Sequence, residues 1–522
     1  MKILILSSQA EPNQESFQLI AKQSWKFIHA YSRNAGAYKI ATEIRKLGHD
    51  VEVADFITYW REEDFKKFLD DRVPHLDILA WSSQFFFDFK FYDKWVAYIK
   101  ELNPNIIFVA GGPKVENLLN FTASKYLVAG YAENAIKDVL DHAEKKPNNL
   151  KFKIVNGKYY VDCNEYYKME ELPDMNTEYH TSDYVIPSEA LTLSLSRGCV
   201  FKCSFCTYPY IGKKKGSFNR SGAEDYYAEL MHNYEEYGTT HYYISDETVN
   251  DSVDKLLDLE EAANKLPFKL DFTGFMRLDL LTRQKQYWDM YKNIGFTNWH
   301  FGIESFNPHA LKVMSKGFDP NKLKQTLLEL RDRFGSQINT TASFLVGAPG
   351  DTPDTFEDMT ISWLKGEGKH VFDGKLFFAL NIHRESPYAV GSDLTRNFKD
   401  HGYREMTRGE IEYELAQDPK LTMEEILETE RYNILWWTPH WNAMSAEHYA
   451  EKYRREVNWP NDFGIWHRAK VISAGLPSEE IARLRNPSNK QIYAEFEKLL
   501  PKVLNDYVTN KLSRNWFSLD KN

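Results

Sequence analysis

The chain has 522 residues, 43% of them hydrophobic and 15% aromatic, with four cysteines and a formal net charge of −10. That length implies about two to four domains, and the apolar fraction is enough to bury them, which excludes a largely disordered chain. The modest acidic balance argues against a nucleic-acid partner, four cysteines make no disulfide framework, and no window approaches the ~18 uninterrupted apolar residues of a membrane span.

The opening MKILILSSQAEPNQ lacks the basic leader and longer apolar stretch of a signal peptide, so a cytoplasmic protein of a reducing compartment is expected. KILILSS then begins a strand–helix alternation. Strands DVEVADF, DILAWSSQ, NIIFVAGGP and YLVAG alternate with helical patterns such as AYKIATEIRKLGH, YDKWVAYIKELNP and AENAIKDVLDHAEKK. The pattern predicts a doubly wound parallel sheet over residues 1–145. Ligands of such sheets sit beyond the C-terminal strand ends. Those ends carry Ser7, Ser8, Gln9, Ser82, Ser83, Gln84, Gly111, Gly112 and Pro113.

Residues 146–188 are polar and tyrosine-rich and read as a connection with a small hairpin at Asn156-Gly157. Cys163 lies there alone and reads as an incidental, partly buried thiol. A second alternation fills 189–394, with strands ALTLSLS, THYYIS, KLDFTGFM, TNWHFGI, INTTASFLVG and DGKLFFALNI. Six βα units predict a partial barrel with its active site at the C-terminal strand ends. His383, Arg384, Glu385 and Tyr388 follow the last strand and are candidates to touch substrate. Residues 395–522 read as mostly helical, with Trp436, Trp437, His440, Trp441, Trp459 and Trp466 forming either a local core or a lid over the barrel mouth.

Three of the four cysteines, Cys199, Cys203 and Cys206, fall within eight positions directly after the first barrel strand. A short loop can wrap three thiolates around one metal centre. Structural zinc and all-cysteine iron–sulfur sites want four ligands. Three therefore leave one position open unless a distant residue, Cys163 among them, closes it as a zinc site.

Cys199-x3-Cys203-x2-Cys206, with Phe205 before the last cysteine and Ser196-Arg197-Gly198 before the first, resembles the radical S-adenosylmethionine superfamily. The resemblance implies a [4Fe–4S] cluster on the three thiolates. Its open iron would bind S-adenosylmethionine, whose reductive cleavage gives a 5′-deoxyadenosyl radical. Gly302-Ile303-Glu304-Ser305 resembles the family's fourth-strand G-x-E-S segment, in which the carboxylate helps hold the adenosyl portion. Asp246 and Glu247 stand where the family binds the methionine amine. Arg277 is placed to pair with the methionine carboxylate or another anion. Gly347 and Gly350 resemble a turn that cradles adenine. Each of these has a plain structural alternative: a capped helix, an ordinary turn or an ion pair.

The N-terminal strand ends and Gly130-Tyr131-Ala132-Glu133 resemble the cobalamin-binding domains that precede many such modules, although the Asp-x-His-x-x-Gly of a lower cobalt ligand is missing. The pairing implies methyl transfer to an unreactive carbon or phosphorus, with an electron donor of flavodoxin or ferredoxin type. The departure leaves room for a ring formation or rearrangement with cobalamin absent or in another role. A non-catalytic metal-bearing binding protein is the rival of another class.

Overall fold

The computed structural model describes residues 1–7, 33–57, 60–82, 89–112, 115, 123–166, 175–206, 218–220, 222–384, 392–417, 422–430, 433–457, 502 and 504–517. Ser8, Gln9, Ser83, Gln84, Pro113, Glu385, Tyr388, Trp459 and Trp466 lie outside the described residues.

The first unit runs β1 (Lys2–Leu6), α1 (Ala35–Lys46), β2 (Asp50–Ala54), α2 (Glu62–Arg72), β3 (Ile78–Ser82), α3 (Phe89–Leu102), β4 (Ile107–Gly111), β5 (Tyr126–Ala129), α4 (Ile136–Ala143), β6 (Lys153–Val155) and β7 (Lys158–Asp162). The strands form one seven-stranded sheet in the order β2-β1-β3-β4-β5-β7-β6. All neighbours are parallel except the β6–β7 hairpin. Period-two side chains explain the apolar runs. Ile3 and Ile5 enter one core with Tyr38, Ile44 and Val139, while Leu4 and Leu6 enter a second with Phe65, Phe68 and Ile99. A strand buried on both faces has no polar phase, and each such side chain contributes about 1.5–3 kcal/mol.

The hairpin read as part of a connection is in fact a sheet extension, because β7 pairs in parallel with β5. Short strands whose residues are partly exposed give too weak a pattern to reveal such a partner. Helix α2 is a second feature the sequence reading passed over; its exposed acidic face masks the buried Phe65, Phe68 and Leu69. Cys163 is fully buried in the first unit, and burial holds its thiol well above its ordinary value.

The second unit contains β8 (Leu191–Leu193), β9 (Ser196–Arg197), β10 (Phe218–Asn219), α5 (Ala223–Tyr237), β11 (His241–Ile244), α6 (Asp254–Lys265), β12 (Asp271–Met276), β13 (Phe296–Glu304), β14 (Asn339–Val346) and β15 (Gly374–Ala379). Six of these strands make an open parallel sheet in the order β15-β14-β13-β12-β11-β8. This is the expected partial barrel. Trp299 packs on Tyr291 and Phe334 of the surrounding helices, which fixes the outer face.

The C-terminal segment closes one barrel edge. Ile434 to Trp437 was expected in a helical run, but the chain is extended here. β16 (Ile382–His383) pairs with β18 (Asn433–Ile434), and β17 (Arg404–Glu405) pairs with β19 (Trp436–Trp437). An extended backbone sends adjacent indoles to opposite sides. Trp436 is fully buried, and the neighbouring Trp437 receives the Arg404 guanidinium at 3.8 Å. Helix Ala443–Glu456 follows; its Arg454 Nε donates to Phe377 O of edge strand β15 at 3.0 Å. That occupies a carbonyl an edge strand otherwise leaves open. Helical residues 504–513 return to the first unit, where Tyr507 OH accepts from Asp55 N at 3.0 Å and Lys511 Nζ donates to Glu52 at 3.0 Å.

Glu447 in the same helix makes a testable stability element. Burial raises its carboxyl from 4.5 to about 7, with Arg454 opposing the shift. From pH 4.5 to about 7 the folded chain holds a proton that the unfolded chain releases, so this group's contribution falls as pH rises through that window. Glu447→Gln is expected to raise stability by on the order of 1–2 kcal/mol at about pH 8 and to change it little at about pH 4, read as thermal midpoints.

Candidate active site

The cysteine loop leaves β8 at the C-terminal end of the barrel strands and is fastened on several sides. Asp246 accepts from Leu195 N at 2.8 Å, Ser196 N at 3.0 Å and Ser196 Oγ at 2.6 Å, and it pairs with Lys255 at 2.9 Å. Ser204 N donates to Met314 O at 3.1 Å, and Leu394 N donates to Ser204 O at 2.8 Å. Cys206 N donates to Cys203 O at 3.0 Å, closing a turn. Cys199 and Cys206 are partly exposed and Cys203 is buried, and none of the chain's four cysteines is in a disulfide.

Arg277, at the end of β12, reaches this loop. Its Nη1 lies 3.4 Å from Cys203 Sγ, and its guanidinium sits 3.7 Å over the Phe201 ring. Nε and Nη2 pair with Asp279 at 2.9 and 3.1 Å. The Arg277 guanidinium therefore braces the loop at both Phe201 and Cys203. Cys199 Sγ lies 3.5 Å from Thr248 Oγ1, and burial raises its thiol. Three thiols on one short loop are a donor set that an iron–sulfur cluster with one open iron can use.

Two carboxylates stand over the same strand ends. Glu304 closes β13 with φ +69°, and Ser305 N donates back to Ile303 O at 2.9 Å. This is a γ-turn of the strained, positive-φ kind. The turn folds the carboxylate over Gly302, where a Cβ would meet Glu304 Oε1 at 2.8 Å, and toward Lys316 Nζ at 2.8 Å. Strain of this kind gathers at working sites. Lys316 also donates to Gly302 O at 2.6 Å and sits 5.7 Å from the Phe205 ring, joining Glu304 to the cysteine loop. Nothing in the sequence singles out Lys316, because its role depends on the chain folding back after a helix.

The acidic pair after β11 divides in two. Asp246 is consumed in holding the loop. Glu247 receives the Tyr131 hydroxyl at 3.3 Å on Oε1, whereas Oε2 is buried without a hydrogen-bond partner. Burial raises its carboxyl above the ordinary value. A buried carboxylate oxygen without a donor fits an arriving ammonium.

Tyr131 comes from the first unit, just beyond β5. Its neighbour Glu133 accepts from Arg197 Nη2 at 3.1 Å, and the Arg197 guanidinium lies 5.0 Å over the Tyr131 ring. The C-terminal ends of β5, β8 and β11 therefore meet. Ser82, which ends β3, accepts from Asn34 Nδ2 at 2.7 Å, and Gly112 N donates to Val128 O at 3.1 Å. Among the described residues, the nearest atom to a Cβ at Gly111 would be Val128 O at 3.8 Å.

Gly347 follows β14 with φ +85°. A Cβ there would lie 2.5 Å from Cη2 of Trp436, so the C-terminal segment packs directly on this turn. His383 Nδ1 is 2.9 Å from Asn433 Oδ1 and Arg384 Nη2 is 2.9 Å from Glu405, which ties both candidates to that same segment.

The fold and site define a class: a six-stranded parallel partial barrel with a three-cysteine loop at its mouth, joined to a doubly wound sheet. Residues 193–360 match the model of the Radical SAM superfamily, and the chain carries that superfamily's domain. Among solved structures, the fold is similar to the radical S-adenosylmethionine methyltransferase TsrM from Kitasatospora setae, at TM-score 0.62 and 14% identity over 97% of this chain and 100% of that one. It is also similar to the cobalamin-dependent S-adenosylmethionine radical enzyme OxsB, at TM-score 0.55 and 16% identity over 98% of this chain and 72% of that one. Among curated proteins, cytidylyl-2-hydroxyethylphosphonate methyltransferase of Streptomyces wedmorensis is 27% identical over 46% of this chain. An uncharacterized methyltransferase of Pyrococcus horikoshii is 25% identical over 51%. The chain spans 42% and 59% of the length of those two relatives. Among the described residues, no helix is long and apolar enough to cross a membrane.

Proposed function

We propose that the chain is a radical S-adenosylmethionine enzyme that transfers a methyl group to an unreactive carbon or phosphorus, with cobalamin held by the first unit. The observation that carries this reading is the meeting of the two strand-end edges through Arg197–Glu133 and Tyr131–Glu247. Two cofactor sites on one shared mouth suit a reaction that uses both. Cys199, Cys203 and Cys206 would hold the cluster, Glu247 Oε2 the methionine ammonium, and Glu304 the ribose. Ser82, Gly111 and Gly112 would line the cobalamin edge. Bound there, the cluster supplies a low-potential electron for cleavage of S-adenosylmethionine, and cobalamin supplies a methyl carrier.

The chain's own residues do the rest. Arg277 braces the cysteine loop at Cys203, Lys316 fixes Glu304, and the C-terminal segment packs on the Gly347 turn at the barrel edge. A reductant of flavodoxin or ferredoxin type and a reducing compartment belong to the same reading.

The test is anaerobic purification and iron–sulfide reconstitution, followed by dithionite and S-adenosylmethionine, with nucleoside products and bound cobalamin measured. 5′-Deoxyadenosine together with retained cobalamin supports the reading. Cleavage without cobalamin affinity moves the enzyme to a radical rearrangement. A formed cluster that leaves S-adenosylmethionine intact, both alone and with cobalamin present, overturns it.

A further inference from the structure

His300, midway along β13, is 3% exposed. Its Nε2 lies 2.7 Å from Ser343 Oγ on β14, and its ring centroid is 4.5 Å from that of Phe275 on β12. Nδ1 is buried with no hydrogen-bond partner. An orphaned polar atom of this kind costs about 1–3 kcal/mol and is rare in native folds.

Strand register puts all three side chains on the face away from the helices. Phe275 is aligned with His300, and Ser343 with Gly302. Outer-face residues Phe272, Phe301, Phe344 and Phe377 are fully buried. On the inner face, Tyr243, Phe275, Ser343, Leu345 and Phe378 are each partly exposed, although they lie within strands. Among the described residues, the inner face below the cysteine loop is therefore a partly exposed cleft wall. At the level of His300 this wall is aromatic, aliphatic and hydroxylic. The charged Arg277 and Glu304 stand at the strand ends above it.

Burial holds the imidazole far below its ordinary value, at about 3, so it is neutral throughout the physiological range. Ser343 Oγ can donate to or accept from Nε2, and Nδ1 accordingly offers an N–H or a lone pair. A charged substrate group would lose its hydration here without a counter-charge. A flat neutral ring gains contact with Phe275 and Tyr243 instead.

We infer that His300 orients the substrate, its Nδ1 hydrogen-bonding one edge atom of an uncharged aromatic or heteroaromatic ring lodged against Phe275 and Tyr243. The inference rests on the enzyme reading above for the word substrate, and on the cleft alone for the ligand class.

Three size-matched probes test it by calorimetry on the full-length, anaerobically purified protein. Indole presents a donor edge, quinoline an acceptor edge, and 1-methylindole neither. Indole or quinoline is expected to bind about tenfold tighter than 1-methylindole, the value of one well-formed hydrogen bond. His300→Phe should remove that preference while holding ring affinity within about threefold, and Ser343→Ala should weaken or reverse it by freeing the tautomer. Nitrogen-15 histidine spectra of the unsubstituted protein should show the His300 Nδ1 resonance moving with the preferred probe, independently of how any variant folds. Equal affinity for all three probes, binding by none, a preference that survives in His300→Phe, or an unmoved Nδ1 resonance would each overturn the inference. 5′-Deoxyadenosine formation is scored separately, so its loss bears on the enzyme reading and not on the cleft.

Discussion

Cys203→Ala is expected to lower 5′-deoxyadenosine formation by at least ~10³-fold while leaving the fold nearly intact. Cys203 is 8% exposed, and its sulfur touches the Arg277 guanidinium rather than a hydrophobic core. Removing one sulfur there costs stability on the order of 1 kcal/mol, a shift of a few degrees in thermal midpoint. The loop backbone is held by bonds that do not involve the side chain, from Ser204 N to Met314 O and from Leu394 N to Ser204 O. A cluster left with two thiolates has lost a ligand that no neighbouring donor among the described residues replaces: Arg277 is a cation, and Thr248 faces Cys199. Iron and sulfide content, with an electron paramagnetic resonance spectrum after reduction, should fall in parallel with activity. Full iron content with lost activity would mean that Cys203 acts by some means other than ligation.

Gly347→Ala is expected to destabilise the protein by about 3–5 kcal/mol, the second largest effect, and Trp436→Leu should relieve much of that loss. Two costs add at Gly347. A side chain at φ +85° sits in the left-handed region, worth roughly 1–2 kcal/mol. The new Cβ would also stand 2.5 Å from Trp436 Cη2 and 2.8 Å from Cζ2. That indole cannot step aside freely, because it is fully buried and its Nε1 donates to Leu380 O at 2.8 Å. Tyr403 OH donates to Gly347 O at 2.7 Å and packs edge-on against the same indole. On the Trp436→Leu background the Gly347→Ala step carries only its backbone cost, so the two losses should fall short of additive by roughly 2 kcal/mol. Denaturation midpoints of the four chains close the cycle. Strict additivity would mean that the covering segment does not press on this turn.

Much of the fold was legible in the sequence because buried parallel strands leave uninterrupted apolar runs. KILIL, IFVAG and the six barrel strands could be read that way. The cysteine loop was legible because three cysteines at that spacing after a strand seldom serve packing alone. The roles around it were less so. Asp246 and Glu247 are adjacent and chemically alike, yet one is spent on Leu195, Ser196 and Lys255, while the other keeps a buried oxygen without a partner. Which carboxylate remains available depends on how β8 and α6 pack. The aromatic run at Trp436-Trp437 looked helical because tryptophan carries no strong local preference; pairing with Arg404–Glu405 makes it extended.

By itself, the sequence determined the two alternating sheets, the hairpin turn at Asn156-Gly157 and the three-cysteine loop, since each is written in contiguous residues through periodicity, turn chemistry or spacing. Tertiary structure alone decided that the hairpin joins the first sheet, that Lys316 holds Glu304, that Tyr131 and Glu133 reach Glu247 and Arg197 across the two units, and that His300 lies on the partly exposed inner face of the barrel sheet. The reason is physical. Local preference acts over a few residues, whereas these contacts join side chains more than ten, and up to 116, positions apart, and only the packed core brings them within reach.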